Sequence, residues 1–219
     1  MKTAQSQHSP LFRQFRTLPL NQHFAIIRFL MSYESDIEDL AVEEQIIIWS
    51  YYVQALHEEG GLEPKLIPTA KMLLEYSIIY NIQFVDGVDI YLRTLQQLAI
   101  AYLRTEQYEE ATRIATQLCQ LAPKQKLNTQ LLQNCLQMQR PSWVQGFWAW
   151  GLLAILVGVL TSILNILLVE TFYTNFYPTM LVVENAAYII GILLFVVGSS
   201  GHYYYVNRQM KLLQTSNLS

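Results

Sequence analysis

The side chains that could do chemistry in this chain are few and scattered. Histidines stand at His8, His23, His57 and His202, and the two cysteines are Cys119 and Cys135. A metal centre needs ligands at short, repeated intervals on one element or on facing ones. None of the six sits at such an interval, so no metal site is expected. Acid–base catalysis needs two titratable groups brought to one place. Glu58-Glu59 and Glu109-Glu110 are merely sequence neighbours and read as solvated helix faces. There is no glycine-rich phosphate loop, nucleophile elbow or zincin pattern. The chain reads as one that binds and holds, not an enzyme, and needs no cofactor.

Two polar residues stand out by their surroundings. Asn165 and Glu184 lie within Pro141–Asn207, a stretch without Lys or Arg whose formal charges are Glu170 and Glu184. A soluble surface of that size needs more charge than this. Ala154, Gly158 and Ser162 recur at every fourth position, and Ala187 and Gly191 do the same further on, with Glu184 on their face. Small residues let helices touch in an apolar medium, and polar groups then bond across the contact. The expectation is that Asn165 bonds the Glu184 carboxyl, within one hairpin or between two copies. A carboxylate at such depth is costly, so Glu184 is expected to be protonated, partnered or close to the headgroups. It also gains from the positive N-terminal end of its own helix.

The elements that position these residues are two apolar runs, about 146–169 and 180–203. Each exceeds the roughly 20 residues a helix needs to cross a hydrocarbon core. Glu170 to Thr179 forms a polar–aromatic link too short to fold alone. Lys124, Lys126 and Arg140 precede the pair, and Arg208 and Lys211 follow it. By the positive-inside rule both flanks are cytoplasmic and the link faces out. Trp143, Phe147, Trp148, Trp150, Tyr203, Tyr204 and Tyr205 are expected at the inner headgroup plane. Phe172, Tyr173, Phe176 and Tyr177 are expected at the outer one. Met1–Pro10 lacks the apolar core of a signal peptide, so the hairpin itself is expected to drive insertion.

Setting aside Arg208, Lys211, Glu170 and Glu184 leaves twelve basic and fifteen acidic residues in the first 140. That balance gives no basic face for nucleic acid. Cys119 and Cys135 are expected to be free, buried thiols. The segment divides into an arm, 1–20, and a helical domain, 21–140. In the arm, Leu11, Phe12, Phe15, Leu18 and Leu20 are packing residues. A short apolar helix follows Asn21. Ser35-Asp-Ile-Glu38 has the form of a capping box opening a helix that Gly60-Gly61 ends. Pro64 and Pro68 fit the first turn of a helix at about 67–80, and Asn81–Gly87 is a turn.

Leu95, Leu98, Ala99 and Tyr102 line one helix. Thr105-Glu-Gln107 connects it to a second, lined by Tyr108, Ala111, Ala115, Leu118 and Leu121 and ended by Pro123. Leu95, Leu98, Ala99, Tyr102, Tyr108, Ala111 and Pro123 stand at the offsets of a tetratricopeptide repeat, which this segment, about 92–125, resembles. Ala115 and Leu118 depart from the pattern, which has an aromatic and an alanine there. The helices at 36–59 and 67–80 have the same topology with a degenerate motif, and Leu127–Met138 is similar to the solvating helix that closes such arrays. The resemblance implies a concave face on which Arg93, Gln96, Ile100 and Arg104 meet a partner. The two arginines would hold a carboxylate or acidic segment by forked hydrogen bonds.

The fold class expected is therefore all-α: a tetratricopeptide-like array followed by two transmembrane helices and a cytoplasmic tail, 208–219. The function expected is a scaffold or adaptor of a bacterial inner membrane, holding cytosolic and membrane proteins at its cytoplasmic face. The alternative is a membrane effector or channel subunit whose hairpins form a homo-oligomeric pore lined by Glu184 and Asn165.

Overall fold

The computed structural model describes residues 8–169 and 176–216, which form two compact units dividing after Cys135. Nine α-helices account for almost all of it, so the described chain is all-α with two long apolar helices at its end. Glu170, Phe172 and Tyr173 lie outside the described residues.

In the N-terminal unit the expected arm is a helix, α1 (Pro10–Arg16). Ser9 caps it by accepting from the Phe12 amide, and Pro10 suits a first turn whose amides need no partner. Phe12 and Phe15, three residues apart, share its buried side. α2 (His23–Glu38) follows, kinked at Tyr33, and α3 (Val42–Glu59) ends at Gly60 with φ +67°.

The capping box at Ser35 does not form. Ile26, Leu30 and Ile37 lie on one helical face and are all buried, so keeping Ile37 in phase extends α2 through Ser35. Gln45 reaches back from α3 instead, donating to the carbonyls of Glu38 (2.7 Å) and Leu40 (2.9 Å).

α4 (Glu63–Ile79) begins earlier than the prolines suggested, because Leu66, Ala70, Leu73 and Ser77 form its buried face and the first turn is needed to seat Leu66. Pro68 thus lies inside the helix, where its missing amide leaves the Pro64 carbonyl without a helical donor. The expected turn at 81–87 opens a small antiparallel ladder that runs past it, β1 (Phe84–Val85) against β2 (Val88–Asp89). Asp86 and Gly87, with φ of 50° and 79°, make the tight two-residue turn whose twist matches paired strands. Asp89 then caps α5 (Ile90–Arg104), accepting from the Leu92 amide at 2.9 Å.

α5 and α6 (Tyr108–Leu121) form the expected antiparallel pair. Ala99, Ala111, Ala115 and Leu118 have no exposed surface, whereas Leu121 is half exposed, one turn past the buried face. Consecutive helices pack from α2 to α6, and α3 also meets α5, a contact between first helices of successive pairs. α7 (Lys126–Met138) is tied in by Asn128, which is fully buried. Its amide donates to the carbonyls of Leu118 and Ala122 at the end of α6, and its oxygen accepts from Gln96 of α5 at 2.7 Å.

In the C-terminal unit α8 (Ser142–Leu164) runs into a π-helical turn at Asn165–Val169 and pairs with α9 (Tyr177–Ser216). Both are long and apolar enough to cross a membrane, and only 17% and 6% of their most apolar windows are buried. Core helices of a soluble protein are mostly buried. α9 does not stop near Tyr203: it continues through Arg208 and Lys211 to Ser216.

Truncating Asn128 would remove three hydrogen bonds of a fully buried side chain at once. Asn128→Ala should therefore cost about 2–3 kcal/mol, read as a lower thermal or denaturant midpoint, whereas Asn134→Ala, one turn before Met138, should leave the midpoint close to wild type.

Candidate functional site

The apolar hairpin meets along a seam with a seven-residue period. Val144, Gly151 and Gly158 are the buried positions of α8, continued by Asn165 in the π turn; among the described residues of α9 they are Gly191, Gly198 and, eight residues on, Val206, with Glu184 seven residues before Gly191. A strict seven-residue repeat keeps two helices facing each other over many turns. A Cβ placed on Gly151 would lie 3.1 Å from the Gly191 carbonyl oxygen, and one on Gly191 would lie 2.6 Å from Ile155 Cγ1. The Tyr188 ring covers Gly158, and Phe195 covers Gly151. The stripe read at every fourth residue belongs to this seam, with half-buried Ala154, Ser162 and Ala187 beside its buried positions.

The inner aromatics divide between two roles. Trp143 lies over Gly201 and Trp148 over Gly198, so both pack on α9 as well as edging the seam. Arg140 stacks on Trp148, 4.5 Å from its ring centre. Trp150, Tyr203 and Tyr204 are about two-thirds exposed.

At the other end of the seam Glu184 is hydrogen-bonded, but not by Asn165. Ser162 Oγ donates to Glu184 Oε1 at 2.5 Å. Asn165 is 5% exposed and its Oδ1 has no partner among the described residues. The two residues share a depth, yet Ser162 lies opposite Glu184 in the antiparallel register and so takes the bond. Thr161, next to Ser162, bonds its own helix at the Val157 carbonyl.

In the N-terminal unit the four α5 residues meet different fates. Gln96 donates to Asn128 Oδ1 at 2.7 Å and to Gln125 Oε1 at 3.3 Å. Arg104 donates to the His57 carbonyl at 3.2 Å and lies 3.6 Å from the Glu63 carboxylate, so it clamps the α3–α4 corner. Ile100 is half-buried. Arg93 is half-buried with no hydrogen bond or ion pair among the described residues, and burial lowers its pKa despite nearby Tyr51 and Glu58. Of the acidic pairs, Glu58 is exposed, whereas Glu59 lies 3.7 Å from His23 and Glu110 pairs with Arg113 at 2.7 Å. His57 has an unpartnered, buried Nδ1, and burial, then Arg104, depress its pKa.

Sequence reasoning missed what pins α1. Arg16 makes a forked contact with Asp86 (2.9 and 3.2 Å), Tyr51 donates to the same carboxylate at 2.7 Å, and Arg16 lies over the Phe12 and Tyr51 rings. These bonds, Arg16's first, hold the Asp86 carboxyl below its usual range. At the other end, the Ser9 amide donates to buried Glu44 and His8 lies 3.0 Å from it. Burial pushes Glu44 up, but these bonds outweigh it and hold the carboxyl below its ordinary value. Ser9-Pro10 was the local sign of this helix; contacts spanning 35 and 70 residues have none. A groove of about 620 Å³ between α2, α3 and α4, lined by Leu30, Trp49, Tyr52 and Pro68 among others, was also not foreseen.

Cys119 and Cys135 are free and buried, and burial pushes Cys135 up to about 11, which keeps the thiol protonated. Among the described residues, no three His, Cys, Asp or Glu side chains gather as a metal site requires. No family model, curated protein or solved structure matches the chain.

Two outcomes follow from this geometry. Gly191→Ala should weaken helix pairing by about 1–3 kcal/mol, because a methyl there overlaps Ile155. Gly146→Ala, with nothing within 4 Å, should leave it unchanged; detergent titration of hairpin dissociation reads both. Because folding depresses the His57 pKa, the unfolded chain takes up its proton first. Stability of the N-terminal unit should therefore fall as pH drops below about 6.5, and His57→Phe should flatten that slope.

Proposed function

We propose that this chain is a membrane-anchored adaptor: the apolar hairpin spans a bilayer and the N-terminal helices present a docking surface on its cytoplasmic side. The observation that carries the reading is the pairing of two long apolar helices that stay largely unburied, flanked by Arg140 and Arg208 with no basic residue between them. Unburied apolar surface of that extent needs lipid as its solvent. The basic flanks favour both ends of the pair on the cytoplasmic side.

The N-terminal unit supports a tetratricopeptide-like reading. The motif residues Leu95, Leu98, Ala99, Tyr102 and Ala111 are all buried where α5 meets α6. First helices meet across pairs, α3 with α5 directly and α5 with α7 through Gln96 and Asn128. Such stacking is how repeat units share a core that one pair cannot supply. On the inner face Arg93 is the cation left without a described partner, so it is the residue of the implied set best suited to a carboxylate from outside. Holding a cytosolic and a membrane partner together raises their effective concentration for each other, which fits a multiprotein assembly at a bacterial inner membrane. The rival reading, an oligomeric pore, has less support, because Asn165 is packed inside a single hairpin.

Labelling tests the anchor. A cysteine at Thr174 should react with a membrane-impermeant maleimide in intact cells, and one at Gln209 only after lysis; the reverse pattern overturns the topology. For docking, co-purification from mild detergent should recover protein partners. Arg93→Glu should reduce an acidic partner's recovery about tenfold, the cost of roughly one lost charge-assisted contact, while hairpin insertion is unchanged.

A further inference from the structure

The hydrogen-bond inventory at the far end of the hairpin does not close. Three side chains bring oxygens there: Ser162 and Asn165, one turn apart on α8, and Glu184 on α9. The Ser162 hydroxyl hydrogen is used on Glu184. Asn165 Oδ1 is buried and receives none. Asn165 faces α9, since the π-helical turn packs on that helix and the next two residues, Ile166 and Leu167, are each 64% exposed.

Nor does α9 offer a donor in reach. Thr179 and Asn185 are exposed, and Met180 and Ala187 have no polar side chain. Tyr188 lies one turn further along, its ring over Gly158. Across Ser142–Leu167 no residue of α8 titrates, and from Tyr177 to Tyr188 the titratable groups of α9 are Tyr177, Glu184 and Tyr188. Glu170 is outside the described residues. A carboxyl oxygen and a donorless amide oxygen thus lie near the same end of an apolar seam, with no Lys or Arg among the described residues of α8 or of α9 from Tyr177 to Tyr188. A buried acceptor without a donor destabilises the fold, and an uncompensated carboxylate does so more. One small hard cation between them would satisfy all three oxygens.

We propose that Ser162, Asn165 and Glu184 form a site for a single monovalent cation, either a proton shared between Glu184 and Asn165 or a sodium ion coordinated by their oxygens. The proposal goes beyond the adaptor reading and needs only that α8 and α9 pair in an apolar medium. The site sits where the helix widens into a π turn, a local change that frees a carbonyl from its usual partner and often accompanies a functional position.

The test uses the full chain in lipid nanodiscs, in sodium chloride against choline chloride at equal ionic strength, over a range of pH. Two signals are read: the thermal midpoint of the hairpin and the infrared C=O stretch of a neutral carboxylic acid. If the ligand is a proton, the neutral-acid band is present in choline at neutral pH and the midpoint falls several degrees as pH rises. If it is sodium, the band is weak, and sodium but not choline raises the midpoint by a similar amount. Glu184→Gln should abolish both responses. Asn165→Leu, which removes the orphan acceptor but keeps the Ser162–Glu184 bond, should lose most of the response without unfolding. A wild-type hairpin with no neutral-acid band and equal midpoints in both salts at every pH overturns the proposal. So does an Asn165→Leu variant weakened equally under all conditions, which would mean the amide simply donates to the carboxylate. Failure of the bilayer reading would show separately, as a chain that stays soluble without lipid or detergent.

Discussion

Two helices in a bilayer, the setting proposed for this pair, gain nothing from hiding apolar side chains against each other, since the lipid tails are as apolar as they are. What holds such a pair is contact, and contact is set by how closely the backbones approach. In this chain the limiting point is Gly151 against Gly191, where a Cβ on Gly151 would lie 3.1 Å from the Gly191 carbonyl oxygen and one on Gly191 3.0 Å from that of Gly151. The rest of the C-terminal unit follows from that approach. Tyr188 can lie over Gly158 and Phe195 over Gly151 because the axes are close, and Ser162 reaches Glu184 because the register is anchored two turns away.

The N-terminal unit is held differently. Its helices bury ordinary aliphatic faces, so water supplies the driving force, and its polar contacts act as pins. Asn128 fastens three helices through one amide, and Asp86 gathers Arg16 and Tyr51 onto a hairpin turn. These pins tie segments far apart in sequence, as a stack of short helix pairs needs wherever a nearest-neighbour contact is thin.

The helices and the apolar pair were legible because their signals are local and periodic. Asn165 and Glu184 stood out because polar residues are rare in such runs. Gly151 did not, since one glycine in an apolar run carries no signal until its partner helix is known. Trp143 and Trp148 were expected in the headgroups by composition, yet each also covers a glycine on the opposite helix, a pairing that only the register reveals. The Ser35 capping pattern was a true local match overruled by the burial of Ile37. The Asp86-Gly87 turn carried the usual two-residue hairpin signature, but its strands are too short to alternate visibly. Gln96 was placed on a partner-facing surface, and its commitment to Asn128, 32 residues away, has no trace in local spacing.

α9 is one helix from Tyr177 to Ser216, so nothing along it acts as a joint. Successive residues turn by about 100°, and that phase is kept from the glycine contacts out to Arg208 and Lys211. If the seam slips by one residue, those two charges swing around the axis by the same angle, as the far end of a key turns with its bit. The rod carries any rearrangement between the paired helices to its basic end as a rotation, with no hinge to absorb it.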